Sequence, residues 1–342
     1  MSANKAQDVI HDRRTMIVNK IMKDMENDGL NWIAPFASTG RPHNPVSGTI
    51  YQGANRLHLA YAGIEAGFAD PRWVTFKQAK ENGWHLHKGV TSAIVEKWKE
   101  MPLIQEDEET GEKTIIGHYM RPVGYFNVFN AEQIDGIPPL ENPSHEEDHT
   151  ATISDILIES SRCPIQHGAL PQGYGGYAPV SDKIIMAPRT MYRSDEAYLR
   201  TLLHEMTHST GHASALNRDV LNTFGTPKYA FEELIAELGA LFTATDLGIQ
   251  ATDYDDAFYN NHVAYLRSWI TVLQKDPDQL FQAASKAEKA TTYIINRYTY
   301  TRDQFTREKD TPSLSAIAQE TRHASDKLGQ EQPTPVKQTQ ER

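Results

Sequence analysis

Cysteine is almost missing: Cys163 is the single one among 342 residues, so no intrachain disulfide can form. That usage suits a reducing compartment. No stretch is long and apolar enough to cross a bilayer. The opening MSANKAQDVIHDRRTMIVNK is polar and carries no apolar core of signal-peptide length. These gaps predict a cytoplasmic chain with no membrane partner. Residues 1–137 have no Gly-rich phosphate loop, no zinc-finger spacing and no catalytic-triad order, and the chain shows no internal repeat. The aspartates form no constellation typical of nucleotide transfer. A net charge of −11 excludes a wholly basic nucleic-acid coat, but a sum can hide a local basic face. The apolar fraction, 39%, is a little below the globular average, which fits a folded chain with some non-globular length.

What is present divides into two modules. Residues 6–29 read as one amphipathic helix, with Val9, Ile10, Met16, Ile17, Ile21, Met22 and Met25 at helical spacing and Gly29 as the stop. A looped stretch rich in Gly, Pro and Asn follows, then a short helix from Ala54. TSAIVEKW alternates like a half-buried strand, and the acidic EDEETGE reads as the solvated tip of a hairpin. GIPPLENPSHEEDHT reads as a linker. SDILIES opens a second module, a strand spans Lys183 to Met186, and Ser194 is the expected N-cap of the helix EAYLRTLLHEMTHST. Three further helices follow, YAFEELIAELGALFTATDLG, HVAYLRSWITVLQ and DPDQLFQAASKAEKATTYIINRY. The expected architecture is α+β with two domains. A small mixed α/β front domain spans 1–137, a linker 138–152, a mainly helical domain with a small sheet 153–302, and a disordered tail 303–342.

The strongest chemical signal is His204-Glu205-Met206-Thr207-His208, an H-E-x-x-H on the first of these helices. Residues four apart share a helix face, so His204 and His208 can hold one ion, and Glu205 can reach a water beside it. Zinc usually takes a third protein ligand and keeps one position open. The long metzincin pattern fails, because Ser214 occupies its last histidine position. His212 lies just past Gly211 and reads as capping the helix end or lining the pocket. The better candidates are Glu233 and Glu237, four apart amid Leu234, Ile235, Ala236, Leu238 and Leu241. A carboxylate on the buried face of a helix is costly unless a charge compensates it. Glu232, one step round, reads as solvent-facing. E-x-x-A-E also resembles the glutamate helix of gluzincin peptidases. That resemblance implies Glu233 as the ligand and Glu237 as a brace on an imidazole N–H, and the reverse assignment stays open. The set then comprises one Zn2+ held by His204, His208 and Glu233, with Glu205 as general base and Glu237 and His212 around it. Tyr192, His212, Tyr259 and His262 are candidate oxyanion donors.

The front module interleaves bases with aromatics: Arg41, Tyr51, Asn55, Arg56, Arg72, Trp73, Phe76, Lys77, Lys80, Lys88 and Tyr125. Single-strand binders combine backbone-tracking cations with aromatic faces on which bases stack. NPVSGTIYQGANRLHL, PRWVTFKQAKENGWHLHKG and RPVGYFNVFNAEQIDGIP resemble the N-terminal domain of ArdC-type antirestriction proteins, a domain shared with TraC-type plasmid primases. The match continues through YGGYAPVSDKIIMAPRTMYRSDEAYLRTLLHEMTHSTGH and YAFEELIAELGALF, and covers about residues 6–297. The resemblance implies a single-stranded-DNA-binding domain joined to a zincin-like metallopeptidase domain, carried by a mobile element and protecting incoming DNA from host restriction. By it, Asn55, Arg56, Arg72, Trp73, Thr75, Lys77 and Lys88 are expected at the DNA face. The implied partners are single-stranded DNA, with duplex DNA second, and a host restriction or other DNA-associated protein as peptidase target. Two alternatives stay open. One is a DNA-binding protective protein whose zinc domain is structural; the other is a cytoplasmic metallopeptidase with a protein-recruiting front domain.

Overall fold

The opening amphipathic stretch forms helix α1, Ala3–Asp28, in a computed structural model that describes residues 3–29, 40–107, 109–140, 150–168, 174–223, 225–249 and 256–310. Ile10, Ile17, Val18, Ile21 and Met25 form its buried face. Helix α2, Gly53–Ala66, ends where Gly67 turns left-handed (φ 73°), a conformation glycine adopts without strain. The front sheet has the order β1-β4-β3, built from β1 (Trp73–Thr75), β3 (Ala93–Glu106) and β4 (Lys113–Asn130), all antiparallel. Helix α3, Phe76–Glu81, starts at a capping box in which Thr75 and Gln78 satisfy each other's backbone N–H groups. Strands β2 (His85–Leu86) and β5 (Ile134–Asp135) form a separate pair. The hairpin of β3 and β4 is longer than the alternation of TSAIVEKW indicated, and the acidic run turns at its tip.

In the rear module, α4 (Thr150–Glu159) precedes a sheet of order β6-β8-β7. Its strands are β6 (Ile165–His167), β7 (Gly175–Ala178) and β8 (Lys183–Met186). Helices α5 (Asp195–Ser209), α6 (Pro227–Asp246), α7 (Asp256–Lys275) and α8 (Asp278–Asp310) follow. Ser194 caps α5 by accepting the Ala197 N–H at 3.0 Å. Thr226 caps α6, with Pro227 at its first turn. The expected linker falls mostly outside the described residues, and its last residues already belong to α4. The first residues of the tail expected from 303 belong to α8, which continues to Asp310; residues 311–342 lie outside the described residues.

The described residues up to Tyr298 form one unit, and those from Thr299 belong to a second. Within the first, one apolar cluster joins both modules. Ile17, Val18 and Ile21 of α1 and Leu57 and Tyr61 of α2 pack with Leu234, Leu238 and Phe242 of α6, Trp269 of α7 and Phe281 of α8. Buried charges reinforce this seam: Arg56 pairs with Asp246 at 2.9 Å and Glu288 at 3.5 Å, and Arg41 contacts the same two carboxylates. A second cluster, including Leu157, Met186, Leu202, Leu203 and Ala244, lies under α5 and the rear sheet. Among the described residues, no helix is long and apolar enough to cross a membrane.

Candidate metal centre

Helices α5 and α6 approach closely because Gly239 faces Thr207. A Cβ at Gly239 would lie 2.5 Å from Thr207 Cγ2, so any side chain there would force the helices apart. That approach brings the H-E-x-x-H face of α5 against the glutamates of α6. His204, His208 and Glu233 each offer a ligand atom, and those atoms lie within 4.8 Å of one another. The two Nε2 atoms are 3.1 Å apart, and Glu233 places one carboxylate oxygen 3.4 Å from His204 Nε2 and the other 3.6 Å from His208 Nε2.

The far sides of both rings are also taken. His204 Nδ1 faces Glu237 Oε1 at 3.2 Å, and His208 Nδ1 faces Glu232 Oε1 at 3.4 Å. A carboxylate on Nδ1 favours the tautomer with its proton there and leaves the Nε2 lone pair aimed at the shared centre. Each bracing carboxylate is held by an arginine. Glu237 pairs with Arg200, both 1% exposed, and Glu232 pairs with Arg218 at 2.8 Å. Arg218 also donates to Thr207 O and Thr210 Oγ1, both at 2.8 Å, and so ties the end of α5 to α6.

Three expectations are corrected here. Glu232 is buried, not solvent-facing, because Arg218 and His208 compensate its charge. Burial alone would raise its pKa, yet those two partners hold it below the usual carboxylate range. His212 touches neither imidazole. The turn after Gly211 carries it away, and its Nδ1 meets Ser214 Oγ at 2.8 Å and lies 3.7 Å from Asp182. Tyr192, a candidate oxyanion donor, gives its hydroxyl to Tyr174 O; the side chains of Tyr259 and His262 lie outside the described residues.

Glu205 is buried on the same helix, and its Oε2 accepts the Tyr177 N–H at 2.7 Å. Strand β7 gets this close because Gly175 has no side chain: a Cβ there would lie 2.6 Å from Thr201 Cγ2 and 3.3 Å from Glu205 Cγ.

The donor set fits a divalent cation: two imidazole nitrogens and a carboxylate converge in a buried spot of net negative charge. The same carboxylates favour protons when no cation is bound. Burial would lower the His204 pKa, but Glu233 and Glu237 outweigh it and push it up to about 9. His208 is raised as well, by Glu233 and Glu232 against burial. A raised folded-state pKa contributes stability that is full below the ordinary value of 6.5 and fades as pH rises through about 9. The metal must displace those same protons. Apparent metal affinity should therefore climb steeply between these two pH values, with proton release on binding, while the metal-free protein loses stability. Calorimetry in buffers of different ionisation enthalpy checks this, and a pH-independent affinity would rule out these imidazoles as ligands.

The structure redraws the expected DNA face. Arg56 is buried in the seam, also donating to Phe242 O at 3.0 Å. Arg72 is buried and engaged by Asp70 at 2.7 Å and Pro138 O at 2.8 Å. Trp73 is core. Asn55 brackets the β3 backbone, accepting the Glu96 N–H at 2.7 Å and donating to Glu96 O at 2.9 Å, and Thr75 caps α3. Lys77 and Lys88 alone of the set are exposed. Spacing in a loop-rich stretch does not reveal burial, so cations committed to buried carboxylates look like surface ones.

Fold and cluster together define a two-module chain whose rear half has a zincin-like site. The family model described as the N-terminal domain of anti-restriction factor ArdC matches residues 11–129, and the zincin-like metallopeptidase model matches residues 153–286. Crystal structures of the antirestriction ArdC protein from plasmid R388 are similar in their metal-free and Mn(II)-bound forms. The first has 30% identity and a TM-score of 0.63 over 84% of this chain and 98% of that one; the second has 29% and 0.64 over 83% and 97%. A DNA primase TraC of Escherichia coli is 32% identical over 82% of this chain, which spans only 20% of that relative's length. The chain belongs to the ArdC antirestriction family.

Proposed function

We propose that this antirestriction protein binds single-stranded DNA through its front half and holds one zinc ion at His204, His208 and Glu233 in a peptidase site. The observation that carries the metal assignment is the two-sided arrangement of the imidazoles. Glu233 lies on the Nε2 side of both rings, whereas Glu237 and Glu232 lie on the Nδ1 sides. That separation supports Glu233 as ligand and the other two as braces. The Mn(II)-bound relative supports a divalent ion at this fold.

A bound zinc ion supplies Lewis acidity, polarising a carbonyl oxygen and making water acidic near neutral pH. Glu205 takes the proton of the attacking water on its carboxylate and delivers it to the leaving amine nitrogen. The Tyr177 N–H fixes Oε2, so the carboxylate cannot rotate away between these two transfers. Protein at the DNA, such as a host restriction component, is the target this arrangement serves.

Metal analysis of the purified full chain is expected to give one ion per chain. Glu233→Ala should weaken binding by at least about 100-fold, beyond the 10–100-fold usual for an outer brace. Undiminished binding in that variant would discard the ligand set. The alternative with a structural zinc is a separate outcome, read from cleavage and protection by the wild type below.

A further inference from the structure

A cavity of about 1030 Å³, just above the usual range for small-molecule sites, is lined by none of His204, His208 and Glu233. Its walls come from both halves of the chain: Tyr51, Trp98 and Phe126 from the front, and Gln282, Ser285, Lys286 and Lys289 from α8. The acids at its floor are committed. Glu96 pairs with Arg14 at 2.7 Å, and Glu288 is held by Arg56 and Arg41. The cations at its rim are not similarly spent. Lys286 and Lys289 are exposed, and among the described residues neither has an acidic partner, although Lys286 Nζ lies over the Phe231 ring at 5.0 Å. Lys77 stands opposite in the lining, loosely beside Glu81 at 3.6 Å. Aromatic surface is open to the same space: Phe126 is 51% exposed, with Lys97 over its ring at 6.0 Å. The side-chain amides of Gln52 and Gln282 are exposed beside it.

Exposed cations, two of them without an acidic partner, an open aromatic face and amide groups are the chemistry of a single nucleic-acid strand: phosphates along the rim, bases stacked inside. An extended peptide fits less well. An extended peptide beside a sheet binds best by strand addition to the sheet edge. Strand β3 is such an edge, but Asn55 already occupies the Glu96 N–H and C=O where the strand passes the cleft.

Resting on the DNA-binding reading above, we infer that single-stranded DNA lies in this cleft and that α8 forms one wall of it. The DNA site is then shared by the two modules. Arg56 and Gly53 meet Glu288 at the cleft floor, and Arg56 also meets Asp246 at the end of α6, the helix that carries Glu233 and Glu237.

Because the two halves share a core, the test uses the full chain. Binding of fluorescent (dT)20 is followed by anisotropy across a salt series. Lys286→Ala with Lys289→Ala should weaken binding by about 10-fold at 0.1 M salt and flatten the log–log salt slope by about 1.4, roughly 0.7 for each lost phosphate contact. Phe126→Ala should weaken it about five-fold or more with the slope unchanged. Lys183→Ala with Lys228→Ala removes the same charge outside the cleft and should leave binding near wild type. Wild type that binds while the α8 pair changes nothing overturns the shared cleft and leaves the DNA reading standing. An equal loss in the control pair overturns it too, since net charge would then be the cause. Failure of wild type to bind at low salt removes the DNA reading itself, and this inference with it.

Discussion

Glu205→Gln is expected to reduce peptide-bond hydrolysis by about 10²–10⁴-fold, the usual contribution of a positioned general base, while the protein keeps its full metal content. The substitution changes chemistry and little else. An amide has nearly the carboxylate's shape, so it fits beside Gly175 and can still accept the Tyr177 N–H through its oxygen. It has no basic oxygen to take a proton from water. Glu205 contacts neither Nε2 atom through any of the bonds that define the cluster, so the ion should stay. Mass-spectrometric cleavage profiling on a peptide library, with metal content measured on the same samples, separates the outcomes. Equal cleavage by wild type and variant would show that Glu205 is not the base. A metal-loaded wild type that cleaves nothing, yet still protects incoming DNA, would favour the structural-zinc alternative.

The site was more legible in the sequence than the DNA face, and the reason is burial. His204, His208, Glu233 and Glu237 sit in strongly periodic helices, where spacing fixes the face on which each residue falls. Two carboxylates among leucines therefore called for a compensating charge, and the structure supplies one in Arg200 in addition to the imidazoles. Glu232 was misread because periodicity places a residue on a helix but does not say what a loop brings to it. Its partner Arg218 arrives from the segment after Gly211, which has no regular structure. The same limit governs the front module. Arg56 and Arg72 look like free cations beside aromatics until the fold shows Asp246, Glu288 and Asp70 at their ends. The joint core of α1, α2, α6, α7 and α8 was equally hidden, since an apolar stripe does not name the surface it covers. Lys286 and Lys289 read simply as polar positions of a long helix, and only their place in the cavity lining marks them.

Arg200→Met should destabilise the protein by about 3–5 kcal/mol, because it strands the Glu237 carboxylate in the interior. At this chain length that is a fall in melting temperature on the order of 10 °C. Both side chains of the pair are 1% exposed, so water cannot replace the lost guanidinium. Glu237→Gln keeps the shape and removes the charge. It should lower metal affinity by about 10–100-fold, since His204 loses the carboxylate that orients its Nδ1–H. Combining Arg200→Met with Glu237→Gln removes both charges together, so most of the lost stability should return, giving a coupling energy of opposite sign to the single penalties. Metal affinity should not return, because the brace is still gone. The double cycle thus separates two roles that a single substitution would blur. Arg200 is the ion-pair partner of a buried carboxylate, and that carboxylate faces the imidazole it would aim. Recovery of metal affinity along with stability would mean that Glu237 acts only through folding, and the orienting role would have to be abandoned.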